Sequence, residues 1–167
     1  MGIFDKIFQV NTERLQAIKL TSDEAFLAII FSAIAADDEI NRDEMNLLLL
    51  TLSKFKGLSH ISPVGFQNLI ARFQKIIKQE GVGTLVNAAK DTLDSNLRET
   101  AFAHAVELVL SDGVFDPKEK IFLEKLQEAI KIPDELAEKI IDVILIMNRG
   151  TTADIFQDVK PEKMFYV

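Results

Sequence analysis

The sequence predicts an all-α protein: a single compact helical domain of about seven to eight helices, built as two pseudo-symmetric helix–turn–helix halves. Three observations predict it. Apolar residues recur three and four positions apart almost throughout. No stretch alternates apolar and polar residues with the β-branched enrichment and turn signals of a hairpin. The chain also resembles itself when slid by 75 positions, which sets Leu27 on Phe102, Ile30 on Ala105, Ile34 on Val109, Asp37 on Asp112, Glu44 on Glu119 and Leu48 on Leu123. A helix–turn–helix unit of this kind cannot bury its apolar face alone, so the two copies are expected to pack around one core.

Taken in order, the periodicity predicts helices over 12–19, 22–36, 42–57, 63–80, 84–93, 96–111, 117–130 and 134–148. The second carries Phe26, Ile29, Ile30, Ala33 and Ile34, and the third carries Leu47, Leu48, Thr51 and Leu52. In the fourth, Leu69, Ile70, Phe73, Ile76 and Ile77 fall on one stripe. The later helices bury Phe102, Ala105, Val106, Val109 and Leu110, then Ile121, Phe122, Leu126 and Ile130, then Leu136, Ile140, Ile141, Ile144 and Leu145. Pro63, Pro117 and Pro133 stand at helix entrances, where a missing amide proton costs nothing. Gly57, Gly81, Gly83 and Gly150 stop or separate helices. The domain layout is an N-terminal helical segment over 1–20, the helical domain with its repeat (22–57 and 96–130) over 21–149, and a C-terminal tail over 150–167. The tail ends in the apolar "KMFYV", which is expected to dock on the core or on a partner.

With 167 residues, 48% of them hydrophobic, the chain is long enough for a substantial core. The uncharged run from Ala25 to Ala36 falls short of the roughly 20 apolar residues that span a bilayer, so it is expected to be a buried helix rather than a transmembrane segment. No secretory leader is visible, and a cytoplasmic location is expected. The chain contains no cysteine, which excludes disulfides, thiolate metal sites and cysteine nucleophiles together. Its net charge of −7 opposes binding to nucleic acid or anionic lipid and makes cations the more natural ligands. No GxSxG, phosphate-binding loop or dinucleotide-binding turn is present, so no enzyme is expected.

The chemistry concentrates in the two repeated turns, "AADDEINRDEM" (35–45) and "LSDGVFDPKEK" (110–120). Each has an Asp, two variable residues, an apolar residue, an Asn or Asp and, three positions on, a Glu. That is the spacing of the second half of an EF-hand loop. The positions that would supply the first two carboxylates are Ala33 and Ala35 in one copy and Leu108 and Leu110 in the other, so an ordinary EF-hand is excluded. Capping offers a purely structural account, with Asn41 and Asp116 as N-caps and Glu44 and Glu119 as capping-box partners. It leaves Asp37 and Asp112 unexplained, because an acid near a helix C-terminus is unfavourable by about 0.3–1 kcal/mol without compensation. A cation, or the free amides of the next helix, would compensate it. His60 falls in a loop, and His104 shares a polar stripe with Glu107 and Ser111 that is expected to face solvent. His104 and Glu107 together offer a cation two ligands, but no HExxH-type zinc signature is present.

The stretches "AIAADDEINRDEMNLL" and "LVLSDGVFDPKEKIFLEKL" resemble the TerB-like tellurite-resistance family, whose hallmark is an alanine-rich helix running into an A-D-G-x-[IF]-x-x-x-E turn, present twice. The opening "MGIFDKIF" is similar to starts in that group, and the resemblance covers about Thr21 to Met147. It implies an all-helical, pseudo-symmetric domain whose turn acids gather into a metal-binding site, with Asp37 and Glu44 in the first turn and Asp112 and Glu119 in the second. The all-oxygen donor set favours calcium or magnesium as the cation. It further implies a role in tellurite and stress resistance, in assemblies with other proteins, with peripheral membrane association through a partner. The chain departs from the family in Asp38, where Gly is usual, and in Ser111, where Ala is frequent. The alternative is a helical protein-interaction module whose acidic turns only cap helices.

Overall fold

A computed structural model describes residues 18–35, 40, 42–53, 55, 58–111 and 117–149. They form seven α-helices: α1 Ser22–Ile34, α2 Arg42–Ser53, α3 Pro63–Glu80, α4 Val82–Lys90, α5 Ser95–Val109, α6 Pro117–Ile130 and α7 Asp134–Asn148. No strand occurs among the described residues.

Helix α1 is the centre of the molecule. Thr21 and Glu24 form a capping box: the Glu24 amide donates to the Thr21 hydroxyl at 3.3 Å, and the Thr21 amide donates to the Glu24 carboxylate at 3.0 Å. Every residue from Ala25 to Ala35 is buried, so α1 presents apolar surface on all sides and can exist only inside a shell of other helices. Its buried Ser32 is satisfied within the helix, donating to the Ala28 carbonyl at 2.7 Å. The shell is chiefly α5 and α4, with α2 and α3 at the margins; α3 also packs on α4, α4 on α6, and α5 on α2, α6 and α7. Phe31 of α1 meets Phe73 of α3 with ring centroids 5.9 Å apart, and Phe26 stacks on Phe55 at 4.2 Å.

Helices α3, α6 and α7 keep the limits that the sequence predicts, because their starts are chemically marked. Pro63 is the first residue of α3 behind Ser62, whose hydroxyl accepts from the Gly65 amide at 3.1 Å. Pro117 opens α6, and Pro133 is the N-cap of α7.

Six limits differ from the sequence expectation, two of them slightly: α1 ends at Ile34 and not at 36, and α5 begins at Ser95 and not at 96. Helix α2 stops at Ser53, short of 57, because the chain turns there: the Phe55 amide donates to the Leu52 carbonyl at 3.0 Å and the Phe55 ring folds onto Phe26. Helix α4 begins at Val82, so Gly83 lies inside a helix and does not separate two. Gly81, at φ 82° and ψ 160°, makes the break by itself and serves as cap to both α3 and α4. Helix α4 ends at Lys90 and not at 93, because Asp94 already caps α5, accepting from the Leu97 amide at 2.8 Å. Helix α5 ends at Val109, two residues early. Of the predicted helix 12–19, residues 18 and 19 are not helical and 12–17 lie outside the described residues, as do Gly57, Gly150 and the 150–167 tail with its "KMFYV" end.

The helix limits at the two repeated turns coincide under the 75-residue shift. Helix α1 ends at Ile34 and α5 at Val109; α2 begins at Arg42 and α6 at Pro117. Each pair of consecutive helices is therefore joined by a connection of equal length.

Candidate functional site

The two connections carry the acids that the sequence singles out. Asp37 and Asp112, with the capping candidates Asn41 and Asp116, lie outside the described residues. Glu44 is the third residue of α2 and Glu119 the third of α6, so both positions fall in first helical turns, where the helix dipole favours negative charge. Glu119 is half-buried. Among the described residues no group of three or more His, Asp or Glu side chains stands close enough to hold a metal ion.

The helix ends that feed these turns lack the usual charge complement. Neither α1 nor α5 has a basic residue in its last turn. At α1 the Ala35 amide closes the final turn on Phe31 at 3.1 Å; at α5 the Leu110 amide closes on Val106 at 2.9 Å. The second turn is braced further by α7, whose Asn148 side-chain amide donates to the Leu110 carbonyl at 2.6 Å. The position equivalent to Asn148 under the shift is Phe73, which braces the first copy through its ring contact with Phe31.

His104 is not on a solvated stripe as the helical period suggests. Its side chain is 24% exposed, its Nδ1 lies 3.1 Å from a Glu107 carboxylate oxygen, and its ring meets Phe26 edge-on, with centroids 6.3 Å apart at 87°. The ring contact joins α5 to α1. His60 lies with its Nε2 3.3 Å from the Asp23 carboxylate, beside an Arg72–Glu24 pair at 3.7 Å. Both pairs are substantially exposed and contribute little stability; the first links the loop before α3, and the second α3 itself, to the start of α1.

The sequence reading missed an apolar cleft of about 750 Å³ between α2 and α3, walled by Met45, Leu49, Leu52, Phe55, Phe66 and Ile70. The signal was in the run Leu47–Leu50: four consecutive leucines cannot share one face of a helix. Leu48 is fully buried, whereas Leu49 and Leu50 are 45% and 58% exposed. No helix among the described residues is long and apolar enough to cross a membrane.

Comparison with known proteins agrees with this arrangement. The family model for tellurite resistance protein TerB matches residues 23–141, from the first turn of α1 into α7, and so takes in both hairpins and both acidic turns. No curated protein and no solved structure gives a significant match. With well over half of its length matched by that one model, the chain belongs to the TerB family of tellurite resistance proteins.

Proposed function

We propose that this chain is a non-enzymatic tellurite-resistance and stress-response domain, with residues 21–149 as the working unit, that takes up a divalent cation at its two acidic turns. Asp37 and Glu44 would supply the donors of the first turn, and Asp112 and Glu119 those of the second. The donor chemistry fits a hard cation: all four groups are carboxylates, and the chain has no thiolate to offer. Calcium or magnesium suits such a set better than zinc. Bound there, the cation would supply positive charge opposite the carbonyl ends of α1 and α5, where no basic side chain does so.

The observation that supports this reading most is the match of helix limits. Asp37 and Asp112 each follow a helix end by three residues, and Glu44 and Glu119 each occupy the third position of the next helix. One local spacing, present twice in the chain, is more than capping requires. The partners are other proteins of a stress-response assembly in the cytoplasm, with any membrane association made through them, and the −7 charge disfavours nucleic acid.

A second reading has its own observation. Val143, Ile146 and Met147 of α7 are 54%, 55% and 66% exposed and recur at helical spacing, an uncovered stripe suited to a partner protein. On that reading the chain is an interaction module whose acids only cap helices. Calorimetric titration of chelator-stripped protein with calcium and then magnesium separates the two. The cation reading expects binding by the native chain and at least a tenfold loss in the Asp37→Asn/Asp112→Asn chain. Equal uptake by the two proteins, or none by either, would overturn it.

A further inference from the structure

The 75-residue relation that matches the two turns also matches two clefts, the first strongly apolar and the second mixed. The apolar cleft between α2 and α3 has a counterpart of about 460 Å³ between α6 and α7. Their walls correspond position by position: Met45 to Lys120, Leu49 to Glu124, Leu52 to Gln127 and Phe66 to Ile141. In the second copy Lys120, Glu124 and Gln127 stand where the first has Met45, Leu49 and Leu52, with Leu123, Ala137 and Ile141 completing a mixed wall, and the Gln127 amide donates to the Asp134 carboxylate at 2.7 Å and to the Ile132 carbonyl at 3.3 Å. The framework therefore tolerates polar residues at these places. The apolar lining of the first copy is a property of that copy, and concave apolar surface of this size marks a binding site.

We infer that the cleft between α2 and α3 is the docking site of this chain's own N-terminal segment, seated through Ile3, Phe4, Ile7 and Phe8. These four residues make two pairs four positions apart, the anchor spacing with which an amphipathic helix lies in an apolar groove. The segment also starts from the right helix. Arg72 of α3 donates to the Lys19 carbonyl at 2.9 Å, so the chain preceding Ile18 departs beside α3, one wall of the cleft. Arg72 is on the opposite flank of α3 from the cleft, and a helix with its side chains is about 10–12 Å across. The ten residues from Gln9 to Ile18 span up to roughly 33 Å when extended, ample to round it. The C-terminal residues are less well placed, because they leave from α7, whose Asn148 is held to the end of α5.

The test uses the full chain with Gln67→Cys on the exposed rim of α3, where the absence of native cysteine makes the thiol unique. A nitroxide on that thiol is expected to reduce the amide signals of residues 3–8 at least twofold relative to the reduced label, at every protein concentration. Phe4→Asp/Phe8→Asp in the same labelled chain is expected to restore them while the signals of α1 to α7 stay in place. A second label at Ser59→Cys, on the opposite rim, should give the same pattern. Undiminished signals from residues 3–8 would overturn the inference, whether the cleft is then empty or filled by an apolar small molecule. Broadening of residues 151–167 in their stead would assign the cleft to the C-terminal tail. Broadening that appears on mixing labelled chain with isotope-enriched unlabelled chain would assign it to a second copy; either result overturns the inference.

Discussion

Phe26 joins three parts of the molecule through one ring. It is 1% exposed, stacked on Phe55 of the connection after α2 and met edge-on by His104 of α5. Phe26→Ala would remove both ring contacts and leave a cavity under the floor of the apolar cleft. A loss of about 3–5 kcal/mol is expected, read from the denaturant midpoint at unchanged slope. Helical spacing placed Phe26 in the core correctly. It could not place His104, because the period of a helix says which residues share a stripe and not which neighbour covers it; α1 covers this one. Leu49 and Leu50 fall outside the apolar stripe of Leu47, Leu48, Thr51 and Leu52, and helical spacing alone does not show that Leu49 lines an open cleft. Of the four acids, the helical positions of Glu44 and Glu119 follow from the sequence alone, since each stands three residues after a capping residue type.

Among the helices, starts were legible where a residue type had one purpose. Proline at the first helical position fixes φ and gives up an amide that has no partner there, so Pro63 and Pro117 mark their helices without ambiguity. Stops were harder, because Gly81 and Gly83 look alike in sequence and only Gly81 takes a positive φ. At φ 82° and ψ 160° a Cβ is strongly disfavoured, so Gly81→Ala should cost about 1–3 kcal/mol, whereas Gly83→Ala, in the first turn of α4, escapes this backbone strain. The end of α6 was not marked at all. Lys131 occupies the left-handed region at φ 60°, and the Ile132 amide donates back to the Gln127 carbonyl at 3.0 Å, the longer bond of a Schellman motif. Glycine is the ordinary residue at such a position. Lys131→Gly is therefore expected to stabilise the chain by about 1 kcal/mol and to raise its thermal midpoint by about 2–4 °C. An unchanged or lowered midpoint would show that Lys131 contributes something that its backbone strain conceals.

At the scale of the whole molecule, the all-helical class and the central burial of the Ala25–Ala35 stretch were both legible, because a helix apolar on every side has to be enclosed. The helix limits on either side of each acidic turn coincide under the 75-residue shift. The sequence could not tell which features the copies share and which they have lost, since that depends on side chains meeting across helices. Leu52 and Gln127 hold the same place, yet one lines an apolar cleft and the other ties α6 to α7. What both stretches retain is the acidic turn, the proposed cation site. The most direct test follows the amide signals of the chelator-stripped chain as calcium is added to about 1 mM, the weak end of the range for protein calcium sites. The signals of residues 35–44 and 110–119 are expected to shift and saturate, and to stay still in the Asp37→Asn/Asp112→Asn chain. If neither turn responds to calcium or to magnesium, the acids are helix caps and the cation reading is wrong.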